Sequence, residues 1–103
     1  MRLLITLPLI LAAVPAHASS DTAWAQFDRA VTRTCAAASG LRQPRVSAIV
    51  GFDDSLGKVA ALVTGTHPQP HMHGATGRTL CIYDKRSRRA WVDEAAGWTA
   101  PAR

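Results

Sequence analysis

Apolar positions along this chain follow three successive patterns, and each predicts a different element. Residues 3–14 are almost continuously apolar, interrupted by Thr6 and Pro8. Trp24, Phe27, Val31, Cys35 and Ala38 then recur at intervals of three or four, the spacing of one helical stripe. Arg29 and Arg33 fall off that stripe. Ser20 or Asp21 is placed to cap the helix, and Gly40 supplies the left-handed stop, so the pattern predicts a helix over residues 22–39.

Beyond Gly40 the residue types become β-branched and aromatic. Gln43, Pro44 and Arg45 read as an extended linker into a strand over residues 46–52, which ends in the turn residues Asp53, Asp54, Ser55 and Gly57. Residues 58–66 (KVAALVTGT) read as the hairpin partner, and residues 79–83 (TLCIY) as a third strand. The tract 84–89 (DKRSRR) has no large apolar side chain and reads as a solvated turn before Ala90, Trp91 and Val92 resume a strand. The predicted fold is α+β: one N-terminal helix packed on a small, mainly antiparallel sheet of about four strands. If Cys81 faces the helix, Thr79 and Tyr83 do too, and Leu80 and Ile82 are sent to the far side of the sheet. That second apolar face calls for a cover, either a tail carrying Trp98 or a second copy in a homodimer.

The apolar start changes the compartment. Arg2 followed by residues 3–14 and the Ala16-His17-Ala18 triplet has the layout of a cleavable signal peptide over residues 1–18, leaving residues 19–103 as one small exported domain, periplasmic or secreted. So small a domain buries little of its unfolded surface, and covalent staples are a common remedy outside the cytoplasm. Cys35 and Cys81 are the only two cysteines. A bond between them would join helix to sheet and close a loop of about 47 residues, stabilising by roughly 4 kcal/mol in the chain-entropy model.

Charge adds a candidate surface. The chain holds twelve Lys and Arg against seven Asp and Glu, and losing Arg2 with the leader leaves an excess of four cations. Lys85, Arg86, Arg88 and Arg89 crowd into one hairpin tip, and guanidinium groups can grip phosphate or carboxylate in a bidentate fashion. The expected partner is an anionic component of the cell envelope or an acidic protein surface. Nucleic acid does not fit an exported chain that lacks aromatic residues interleaved with its basic ones.

A second cluster bears on metal. His67, His71, Met72 and His73 lie in a loop with Pro68 and Pro70, and imidazole and thioether are ligands suited to copper. This gives an alternative reading as a copper-binding protein. Asp53, Asp54, Ser55 and His67 contain hydrolytic residue types, but the acids are explained by turn chemistry and no nucleophile-elbow, zinc-protease or phosphate-loop motif occurs. The sequence therefore points to a non-catalytic binding or accessory protein without a resident cofactor. In size, export signal and single disulfide the chain is similar to small periplasmic proteins such as lysozyme inhibitors. It departs from them in having no Ser-Gly-x-x-Tyr loop and in being basic, where an inhibitor of a cationic enzyme should be acidic.

Overall fold

A computed structural model of the chain describes residues 3–10 and 16–100, with the backbone alone for 16–19. Most of the leader predicted over residues 1–18 thus lies outside the described residues or, at its cleavage triplet, is described by backbone only. The elements follow in the order α1 (Ala16–Ser39), β1 (Arg42–Val46), β2 (Val50–Gly51), β3 (Lys58–Thr66), a short 3-10 turn (Pro70–Met72), β4 (Thr76–Asp84) and β5 (Ala90–Glu94). One helix packs on an antiparallel sheet of five strands, and a Cys35–Cys81 disulfide links the two layers with a Cα–Cα distance of 5.8 Å.

The helix starts earlier than its capping residues suggest. Ser20 and Asp21 lie inside α1 and not at its cap, because no Gly or Pro separates Ala16 from Ser39 and each added residue gains a backbone hydrogen bond. At the far end Gly40 adopts φ +67°, and its N–H bonds to the Ala37 carbonyl, as a left-handed stop requires. The buried stripe is shorter than the apolar one. Val31 and Cys35 are fully buried and Phe27 partly so, whereas Trp24, towards the N-terminal end of the stripe, and Ala38, in the last turn, are exposed.

The sheet runs β1-β3-β4-β5, with β2 also paired to β3 on the β1 side. β1 and β2 together form one broken edge lane, which replaces the single strand expected over residues 46–52. Gln43, at φ +46°, is the extra residue of a bulge between the Arg42–Thr66 and Arg45–Thr64 pairs, and Pro44 is tolerated because this is an edge. Ser47 then breaks the lane. Its hydroxyl oxygen accepts the Leu62 N–H at 2.9 Å while its own N–H donates to the Leu62 carbonyl, so a side chain stands in for a backbone acceptor.

Alternation along β3 and β4 settles what faces the helix. Val59, Ala61 and Val63 meet Tyr83, Cys81 and Thr79 in register, and with Val31, Cys35, Leu41 and Val46 they form the core. Leu80 and Ile82 take the far side, as expected, and Ala60 and Leu62 join them there. The tail does reach back, since the Arg78 guanidinium donates to the Trp98 carbonyl. The far face is partly covered: Ala60 and Leu62 on it are buried and Leu80 and Ile82 half-buried, whereas Trp98 is 57% exposed and Trp91, beside Ile82, is 51% exposed.

Candidate functional site

The basic residues 85–89 do connect two paired strands, and backbone chemistry shapes the connection. Residues 85–89 connect β4 to β5 through bonds from the Asp84 N–H to the Arg89 carbonyl at 2.9 Å and from the Arg88 N–H to the Asp84 carbonyl at 2.8 Å. The Asp84 carboxylate accepts the Arg86 N–H at 3.0 Å. That bond is the main reason its pKa lies below the ordinary carboxylate value. Arg88 takes a positive φ of 60°, which lets the loop close without glycine.

This turn divides its four cations. Lys85 leans back towards the helix, its ammonium 5.9 Å from the centre of the Phe27 ring, and Arg89 lies over Trp91 at the same distance on the far side of the sheet. Arg86 and Arg88 project between them, exposed, with no side-chain hydrogen bond or ion pair among the described residues. Two guanidinium groups are thus free for an anion at the tip, and two cations flank them.

A second turn is pinned against the first. The Lys85 N–H donates to the Gly57 carbonyl at 2.9 Å, so residues 53–57 sit beside the basic loop. Asp53 shapes this turn by accepting both the hydroxyl and the N–H of Ser55, at 2.6 and 2.9 Å. The hydroxyl contributes most to holding its carboxyl below the usual range. Leu56, at the turn's outer corner, is 52% exposed.

Between α1 and the β2 end of the sheet runs a groove of about 600 Å³, lined by Trp24, Phe27, Ile49, Phe52 and Lys85 among others. Trp24 meets Phe27 edge to face at 6.0 Å, and Phe27 meets the buried Tyr83 in the same way. An aromatic file therefore runs from solvent into the core. The exposed aromatic part of this surface was not singled out in the sequence; the available signal was that Trp24 starts a helical stripe which the sheet is too short to cover.

No family model, curated protein or solved structure matches this chain.

The histidine loop is not extended throughout, because Pro70 begins a 3-10 turn that its fixed φ suits. His67 lies near Gly77, its Nε2 2.7 Å from where a Cβ on that glycine would stand, while His71 and His73 are exposed on the turn and Met72 is half-buried. Among the described residues, no three of His, Cys, Asp and Glu converge on a metal-binding position. Nor does the fold assemble Asp53, Ser55 and His67, since the first two precede β3 and the third follows it. The described helix is not long and apolar enough to cross a membrane.

Proposed function

We propose that this chain is an exported, non-catalytic binding protein that engages an anionic ligand through the β4–β5 hairpin tip. The observation that carries the reading is the pair Arg86 and Arg88, held at the apex of a hydrogen-bonded turn with guanidinium groups unclaimed by any described neighbour. Fixing the backbone of the turn that carries these cations lowers the entropic cost of gathering them on one anion. A disulfide spanning the two layers supports a working site outside the cytoplasm, as does the leader pattern of residues 1–18.

The test is retention on an immobilised soluble polyanion such as dextran sulfate, eluted with salt. The triple variant R86S/R88S/R89S should leave the column at markedly lower salt than the natural chain while melting at nearly the same temperature, since all three side chains are exposed. Retention of the natural chain no stronger than that of the variant would remove the reading.

A further inference from the structure

The large apolar side chains exposed on this molecule are not scattered. Among the described residues beyond the leader they are Trp24, Val50, Phe52, Leu56, Trp91 and Trp98. Five of these six gather at the end that carries the basic tip. Phe52 and Leu56 belong to the loop between β2 and β3, and that loop is bonded to the tip through Lys85 and Gly57. Val50 and Trp91 stand in the cross-strand row Val50–Ala60–Ile82–Trp91, two residues from the end of β3. Trp24 reaches the same end through Phe27, over which Lys85 lies. Only Trp98 is elsewhere, beside Arg78.

Their arrangement around the tip matters as much as their number. Trp24 is on the helix side, Val50 and Trp91 are on the opposite side of the sheet, and Leu56 is on the turn between. A ligand seated on one face could not touch them all. A broad surface met end-on could, with Arg86, Arg88 and Leu56 of the two apposed turns reaching it first and the Trp24 and Trp91 rings, set back from the apex, at its boundary. Trp, Phe and Leu next to Lys and Arg are the residue types that settle at the headgroup boundary of a bilayer. Carboxylates share this end, Asp53, Asp54 and Asp84 in the two turns, Asp28 in the groove beside Lys85 and Asp21 on the helix before Trp24; Asp53 and Asp84 turn their oxygens back onto their own loops, so within the basic loop itself the outward-facing charges are cationic.

Resting on the reading of the tip as an anion site, we infer that the anion is a lipid headgroup and that this end of the molecule docks on the surface of an anionic bilayer. The core, formed by residues of α1 and the sheet with Leu41, takes nothing from the described leader residues 3–10, all of which are exposed. The exported chain, with its N-terminus read by intact mass, is therefore the proper material for a test.

That chain is mixed with vesicles of phosphatidylglycerol and phosphatidylcholine, and separately with soluble dextran sulfate. The natural chain should sediment with the anionic vesicles and shift its tryptophan emission to the blue, and a W98F variant should keep that shift. Each cation close to an anionic surface contributes roughly five-fold in affinity, so R86S/R88S should lose vesicle binding by about 25-fold. L56S should lose about ten-fold on vesicles and nothing on dextran sulfate, because only a bilayer offers an apolar layer to Leu56. Binding to dextran sulfate without binding to vesicles overturns the lipid inference and leaves the anion site standing. Absence of both removes the two together. Vesicle binding that is indifferent to L56S and to R86S/R88S also overturns the inference, because the leader or bulk charge would then be its cause.

Discussion

Gly65 and Gly77 stand opposite each other on β3 and β4, and the Leu41 side chain lies across the gap that they leave. A Cβ on Gly65 would come 2.6 Å from the Arg42 carbonyl oxygen and 2.8 Å from the Leu41 Cβ; one on Gly77 would come 2.6 Å from a Leu41 methyl carbon. Both are well inside contact distance. The pair is thus a slot that lets the α1–β1 connection close the core at the end away from the basic tip.

Gly65→Ala should destabilise the fold by about 2–3 kcal/mol, because backbone must move, and Gly77→Ala by about 1 kcal/mol, because side chains can yield. In a Leu41→Ala background the Gly77→Ala cost should shrink. Urea unfolding of the four members of that cycle measures the coupling. Simple additivity would show that Leu41 does not occupy the slot.

Thr79 faces the helix in the row Val46–Val63–Thr79, and its buried hydroxyl has no hydrogen-bond partner among the described residues. Nothing else in the structure explains a hydroxyl there. Thr79→Val keeps the shape and removes an unsatisfied polar group, so it should stabilise by about 1 kcal/mol in thermal or denaturant unfolding. A loss of stability would mean that the hydroxyl has a partner after all.

The Cys35–Cys81 link closes a long loop, with a sequence separation of 46 residues. Replacing both cysteines with Ala should cost about 2–5 kcal/mol. Reductant should lower the melting temperature of the natural chain and leave that of the double variant where it is. Equal sensitivity of the two would place the stabilisation elsewhere.

Asp84 and Asp53 both have folded-state pKa values below those of free carboxylates, because each carboxylate accepts hydrogen bonds from its own turn. A depressed folded pKa means that the charged form favours the folded state. The contribution is therefore complete above the unfolded value of about 4 and fades as pH falls through the lower folded value. Stability should decline on acidification through this window, and Asp84→Ala should flatten the decline. Because Asp53 is exposed and Asp84 only half-buried the change is small, and amide exchange at Arg86 is a more sensitive readout than global melting. A protection factor at Arg86, taken against the intrinsic exchange rate at each pH, that does not decrease below pH 4 would contradict the assignment.

Local patterns were enough for much of the architecture. The interval between Phe27, Val31 and Cys35 marks a helix face wherever that helix sits, and the alternation of Thr79, Cys81 and Tyr83 marks a strand face. Two cysteines, one on each face, imply the contact between the layers. Capping is less legible, since Ser20 and Asp21 are good cap residues that an uninterrupted helix simply runs through. The broken edge lane was hidden too, because a hydroxyl replacing a carbonyl at Ser47 leaves no mark in hydropathy.

For the candidate site, Lys85, Arg86, Arg88 and Arg89 were legible because they are adjacent in the chain. Their division was not: whether Lys85 meets Phe27 and Arg89 meets Trp91 depends on the side to which each strand residue is sent. The Phe52–Leu56 loop joins the tip only through pairing of β3 with β4, which brings Gly57 to Lys85. Periodicity encodes which residues share a face, and that much this chain carries in its own order. Which distant turns come to lie at one end, and which apolar side chains stay in the open there, follows from strand register and from a helix longer than the sheet it covers; both are set by packing between segments far apart in the chain.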